Sequence, residues 1–553
     1  MNVAHRTYRS GSVLITLLML IGLLAGCTPA PPPPAAPPSG TLRWSIEGVQ
    51  DITRLDPARV ADYQTNIAIN LIFGGLVRLD PNLAVVGDGA ERWQTNADGT
   101  VYTFTLRQNL AYGDGTPVTA QDFADALRRT IAPDTGSAFA FEFLKHIVGA
   151  EALHDGKSEE LSGVRALDDR TLEITLDSPR GYFLSQLTYA LAFVVPPGKI
   201  DSAGEDWINR AFGSGPFRVK EHVAGVKLVL EGNPHYWAGP PGVSNIELRF
   251  YPDSSAALRS YQAGELDLMG NIQSGIPAQH VAEVRNLPDM RSASAPVVRY
   301  IGFNNQHPPF DNVYVRQAFA QAIDKATLTS QVLAQQALPA ERILPPGFLG
   351  SELPITPHAY DPLGARSALG LAGYSSGVRL PSISLSYAHD TDTQQVAEAL
   401  QRNWRDTLGI EVELEGMPID TFVARLDALT ADPTAEDSLQ LYLSVWGADY
   451  PDPHNFLSLQ LQSDSPYNNG HWSNPEFDQL TTTADQIGDP ARSAERLRLY
   501  NQAEQIAVRE VGWLPLFNPA VNILIRPNIS GLSFTPQGII AADWTQVRIA
   551  AAP

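Results

Sequence analysis

A chain of 553 residues is too long for one hydrophobic core, so two or three lobes are expected. With 44% apolar and 18% charged residues it is neither a disordered polypeptide nor a multi-span membrane protein. Its formal charge of −21 argues against nucleic-acid binding, which needs basic patches.

The first 27 residues read as an address. Arg6 and Arg9 form a basic start, and the apolar run Val13 to Gly26 is too short and too early for a stable spanning helix. It ends in Leu24-Ala25-Gly26-Cys27, with small residues before a cleavage point. Cys27 is the only cysteine, so it has no intramolecular disulfide partner. The run resembles a bacterial lipobox, which implies that Cys27 is acylated and anchors the mature protein to a membrane; a plain signal peptide is the other reading. Residues 28–40, TPAPPPPAAPPSG, form a proline-rich spacer. At about 3.1 Å per residue it spans roughly 35–40 Å.

The body mixes strands and helices. TLRWSIEGV, from Thr41, alternates as a strand. Asn96 to Gly99 is turn chemistry, followed by a period of two at Tyr102, Phe104 and Leu106. Thr119 is placed to cap a helix, with Asp122 as the capping-box acid and Phe123, Leu127 and Ile131 as the buried stripe. Residues 215–237 predict a strand pair turning at Ala224-Gly225, with Val226, Leu228 and Leu230 alternating. Asp311 is the expected cap of a helix whose inner face is Val315, Phe319, Ala322 and Ile323. The pattern is that of α/β lobes.

Catalytic signatures are missing. The sequence has no HExxH, CxxC, GxSxG or GxxxxGK[ST], and its 11 histidines do not pair convincingly on a helix. A protein without enzymatic activity, metal or cofactor is expected. The stretch WGADYPDPHNF, residues 446–456, stands apart. A strand can run into it but not out, because Pro451 and Pro453 donate nothing. Taken alone, Asp449 and Asp452 read as turn acids, and Trp446 as a core aromatic or a pocket wall.

Eight segments in order resemble the extracytoplasmic solute-binding proteins of the peptide/nickel ABC-importer family. They are LDPARVADYQTN (55–66), LIFGGLVRLD (71–80), TVYTFTLRQNLAYGDGTPVTAQDF, GSGPFRVKE with EGNPHYW, AGELDLM (263–269), FNNQHPPFDNVYVRQAFAQAIDK (303–325), YDPLGARSALGLAGY (360–374) and WGADYPDPHNF. The resemblance implies a large periplasmic-binding-protein-like α/β fold (type II, cluster C), with two main lobes around a hinged ligand cleft and an extra lobe. Mapped by motif order, lobe I is 41–78, 211–300 and 516–553, lobe II is 79–210, and lobe III is 301–515.

The same resemblance implies that Asp449 receives the α-ammonium group of a bound oligopeptide. Gly447 and Ala448 then leave room for backbone approach, and Trp446 lines a side-chain pocket. It also places a second strand for the peptide at Ala61-Asp62-Tyr63. The implied role is a monomeric, membrane-anchored receptor outside the cytoplasm that delivers peptides to ABC permease subunits. The alternatives are another solute on the same fold (a sugar, an opine, a metal chelate or haem) and a secreted hydrolase.

Overall fold

The computed structural model describes residues 40–334, 336–374 and 380–550. The expected leader 1–27 with Cys27, and all of the expected spacer except Gly40, lie outside the described residues. The fold is α/β. Its principal sheet has 12 strands, arranged in the order Val412–Met417, Ile383–Ala388, Leu441–Gly447, Val297–Phe303, Trp513–Ile525, Leu268–Met269, Thr41–Glu47, Asn245–Tyr251, Lys227–Gly232 and Phe217–Val223. Met290–Ser294 and Ala337–Pro339 also pair with Trp513–Ile525.

Strand Trp513–Ile525 organises this sheet. Its first residues pair with Arg299–Gly302, its middle with Met290–Ser294, and its end with Leu268–Met269. Pro515 and Pro519 lie along it, so part of its length has no N–H to offer. Side chains make up for this at the crossing. Asn518 Nδ2 donates to the Val297 carbonyl at 2.9 Å, while the Ala295 N–H reaches the Pro519 carbonyl at 2.8 Å.

The expected first strand is Thr41–Glu47, parallel to Asn245–Tyr251, with Leu42, Trp44 and Ile46 buried. These join Ile69, Leu230 and Ile525 in one core drawn from distant stretches of chain. A second core covers a separate four-stranded sheet. There Asn96 Oδ1 accepts the Thr100 and Val101 N–H groups, and Tyr102, Phe104 and Leu106 point inward. Thr119 and Asp122 form the expected capping box of helix Ala120–Ile131, which buries Phe123, Leu127 and Ile131.

Two more cores lie on opposite faces of the strands Val297–Phe303 and Leu441–Gly447. Period-two alternation sends Ile301, Phe303, Leu441 and Leu443 to one face, under Phe319 and Trp404. It sends Val298, Tyr300 and Tyr442 to the other, with Phe456, Tyr500 and Trp513.

Two local expectations shift. Helix Val313–Gln321 is capped by Asn312, whose Oδ1 accepts the Tyr314 N–H at 2.9 Å, and not by Asp311. Asn312 holds the extended cap conformation, φ −92° and ψ 119°, directly before the first helical residue, and Asp311 lies one residue too early. Val226 belongs to the turn rather than the strand, its N–H bonded to the Val223 carbonyl and its side chain 54% exposed.

Glu47 ends the first strand fully inside the protein. Ser45 Oγ and Asn271 Nδ2 donate to its two oxygens at 2.5 and 3.2 Å. Burial pushes its carboxyl up from 4.5 to about 7, against the opposing pull of those bonds. Below 4.5 the folded and unfolded chains both hold this proton; between 4.5 and about 7 only the folded chain does. Stability therefore falls as pH rises through that window. Glu47→Gln is expected to remove this contribution, so that urea denaturation measured across the window shows a shallower fall than in wild type.

Candidate functional site

Strand Leu441–Gly447 pairs along its whole length with Val297–Phe303, from Phe303 opposite Leu441 to Val297 opposite Gly447. On its other side it pairs with Ile383–Ala388 only from Leu441 to Leu443. Beyond Leu443 that edge has no strand neighbour among the described residues. The Ala448 N–H donates to the Pro296 carbonyl at 2.8 Å, toward the paired side. Alternation then turns the N–H and C=O groups of Val445 and Gly447 to the open side. A Cβ on Gly447 would only touch Val297 at an ordinary 3.5 Å, so the protein's own packing does not demand glycine there.

The turn after the strand is built from Asp452 and the prolines. Asp452 is extended, and its Oδ1 accepts the His454 N–H at 3.0 Å, capping the short turn Pro453–Asn455. It is a turn acid, as its sequence position suggests, but it is also buried against Arg496, which donates to both its oxygens at 2.8 and 2.6 Å. Tyr450 Oη lies 2.6 Å from His454 Nδ1, and the His454 ring stacks on Tyr182 with centroids 3.7 Å apart. Burial, with Arg496 adding to it, holds the His454 imidazole far below its ordinary range.

Asn455, completely buried, fixes the two residues of interest. Its Oδ1 accepts the Trp446 Nε1–H at 3.1 Å and the Asp449 N–H at 3.3 Å, and its Nδ2 donates to Asp449 Oδ2 at 3.2 Å. Its own carbonyl takes the Trp446 indole at 3.0 Å. Trp446 is half-buried against the neighbouring core, with Tyr467 beside it at 6.1 Å. The Asp449 side chain remains open to solvent, and among the described residues no cation forms an ion pair with it. The protein mass around it pushes its carboxyl above the usual 3.8, and the Asn455 bond partly offsets this.

Ala61, Asp62 and Tyr63 do not form the expected strand. Asp62 is extended, at φ −136° and ψ 155°, but its Oδ1 takes the Thr65 N–H at 2.7 Å and caps helix Tyr63–Ile72. A capping acid three residues before a free N–H starts a helix there and leaves only the residues before it extended. Ala61 and Asp62 are exposed, and Tyr63 is the first helical residue. The Tyr189 hydroxyl is pushed up by burial and, beyond that, by the charges of Asp449 and Tyr63. Tyr63 and Tyr189 also line a cavity of about 230 Å³ with Trp44, Asn66, Phe73 and Phe193.

Tyr189, Asn455 and Arg496 carry this arrangement and were not singled out from sequence. An asparagine six residues after the acid was the one visible signal. Among the described residues no group of three or more His, Cys, Asp or Glu is placed to hold a metal. Asn455→Ala is expected to raise the Asp449 titration further, read from its carboxyl carbon resonance, and to cost about 1–3 kcal/mol of stability.

The comparisons with known proteins agree on one family. The bacterial extracellular solute-binding proteins, family 5 (middle region), match residues 84–468. The protein named "Probable deoxycholate-binding periplasmic protein YgiS" of Escherichia coli (strain K12) is 32% identical over 549 residues, covering 97% of this chain and 98% of the relative. The periplasmic oligopeptide-binding protein OppA of the same organism is 30% identical over 497 residues, covering 87% and 88%. In structure the chain is similar to the murein tripeptide binding protein MppA in its unliganded open form, with a TM-score of 0.82, 27% identity and coverage of 92% and 98%. The chain belongs to the bacterial extracellular solute-binding proteins of family 5.

Proposed function

We propose that this chain is a receptor outside the cytoplasm that binds short peptides and hands them to an ABC importer. The observation that carries this reading is the Asp449 carboxylate. It stands without a cation at the end of a strand whose open edge offers the Val445 and Gly447 backbone groups. An extended peptide pairs with such an edge whatever its side chains, and its ammonium group is the one positive charge every free peptide carries at that end. Trp446, held by Asn455, would wall the first side-chain pocket. Ala61 and the extended residue Asp62 would face the ligand from the other side with Tyr63.

The similarity to OppA, named as an oligopeptide-binding protein, supports the same reading. So does the likeness to an open, unliganded binding protein. We place the hinge where Ser294–Val297 crosses Asn518–Ala520, between lobe I (41–78, 211–300, 516–553) and lobe III (301–515), with 79–210 as lobe II. Cys27 would carry the lipid anchor, and the receptor would act as a monomer without enzymatic chemistry.

A second reading takes its weight from YgiS, whose printed name is that of a deoxycholate binder, and from the aromatic cavity beside Tyr63. A bile acid has a carboxylate and no ammonium group, so Asp449 would be idle in it.

Calorimetric titration of the purified chain separates the two. Wild type is expected to bind trialanine, while N-acetylation of the peptide or Asp449→Ala weakens binding by about 2–5 kcal/mol. Equal binding of the acetylated peptide, or binding of deoxycholate alone, would sink the peptide reading.

A further inference from the structure

The cavity beside Tyr63 and Tyr189 is built without the Asp449 edge. All of its lining falls between Trp44 and Tyr236 or between Gln537 and Trp544, and none within 301–515, the segment placed in lobe III. A ligand held here therefore needs neither the strand edge at Val445 nor closure of the proposed hinge. The walls are aromatic and held in place. The Trp44 indole donates to the Gly270 carbonyl at 3.1 Å, and Trp544 packs edge-on to Phe217 with centroids 5.2 Å apart. Phe73 and Phe193 add further apolar surface. A dry cavity of roughly 150 Å³ holds one benzene ring. At about 230 Å³ this one has room for two fused rings.

Donors without a partner gather on this lining. Arg78 spends its guanidinium on the Ala542 and Leu79 carbonyls, at 3.0 and 3.4 Å, and among the described residues it pairs with no carboxylate. Its Nε is buried without a partner, and so is Gln537 Nε2 on the same wall. The Tyr236 and Tyr189 hydroxyls make no hydrogen bond among the described residues, although Tyr236 is only 9% exposed. Burial pushes the Tyr236 hydroxyl up, Asp88 and Asp543 add to this, and Arg78 and Arg107 oppose it, so all four charges reach that hydroxyl. Both acids are already committed. Asp88 accepts the Trp237 indole at 3.0 Å and the Gly75 N–H at 3.2 Å, and Arg107 beside it donates to its carbonyl at 2.6 Å. Asp543 accepts the Thr545 N–H and hydroxyl, each at 2.8 Å. Polar groups that leave water are normally satisfied. A cation and two hydroxyls short of acceptors, on an aromatic-walled cavity, suit a ligand that brings the acceptors.

We propose that this cavity is a second ligand site, which takes a small aromatic carboxylate of about two fused rings, with the rings against the aromatic walls and the carboxylate on Arg78 and Tyr236. Apolar walls with a few convergent polar groups are the usual build of a small-molecule site. The rings supply buried area and stacking, and the forked guanidinium fixes the orientation of the carboxylate. The proposal does not rest on the peptide reading, because no residue from Val445 to Asp449 takes part in it.

The test titrates the purified chain by calorimetry with 2-naphthoate and with 2-naphthamide, which keeps the rings and removes the charge. Wild type is expected to bind the acid about tenfold or more tighter than the amide. In Arg78→Gln the acid falls to the level of the amide, whose own affinity is unchanged, and Arg78→Lys recovers part of the loss. Tyr236→Phe keeps the wall and weakens the acid about threefold or more. Saturating trialanine leaves 2-naphthoate binding as it was. The proposal is overturned if 2-naphthoate fails to bind wild type at millimolar concentration, if acid and amide bind equally, or if Arg78→Gln weakens both alike or neither. Displacement of 2-naphthoate by trialanine also overturns it, since the cavity would then be part of the peptide cleft. Should Arg78→Gln fail to fold, unchanged binding of the acid by Tyr236→Phe overturns it instead. If no peptide binds but 2-naphthoate follows this pattern, the peptide reading falls and the second site stands.

Discussion

A carboxylate with no cation paired to it among the described residues, held on one buried amide, is the constraint on which the proposed binding region of this protein depends. Asp449 sits where its surroundings disfavour its charge, and Asn455 alone compensates. Asn455 can do this because the turn Pro453–Asn455 is capped by Asp452, and Asp452 is tied to Arg496. That ion pair is buried on both sides, so removing either partner would strand a charge in the interior. Each layer of the network thus fixes the next. A charge held ready in this way favours a ligand that brings the missing cation, because the cost of placing the carboxylate is met in folding rather than in binding.

The sheet explains why the proposed cleft falls at this point. Strand Trp513–Ile525 is shared by both halves of the principal sheet, and the segment Met290–Phe303 crosses beside it. Two strands that pass together between separate cores leave the halves joined by little else at that level. The hinge proposed at this crossing would cost few contacts, with the cores on either side moving as units. The Asp449 carboxylate and the edge at Val445 face solvent.

Much of the scaffold was legible in the sequence because it rests on short-range physics. The alternation at Tyr102, Phe104 and Leu106 and the capping box at Thr119 need only neighbours a few residues apart. The slip from Asp311 to Asn312 has the same origin, since both residue types cap well and only the fold says which N–H is still free. At Asp62 the sequence order was read as extended, and the capping bond to Thr65 turned it into a helix start. The rest depended on distant pairing. Asn455 meets Asp449 only because an intervening turn folds back, and Arg496 arrives from a helix farther along the chain.

The most direct measurement is a crystal structure of the purified chain with trialanine bound. The account predicts the peptide extended along Val445–Gly447, with its ammonium nitrogen within about 3 Å of an Asp449 oxygen. A peptide bound with its ammonium elsewhere, and Asp449 still bonded only to Asn455, would contradict it.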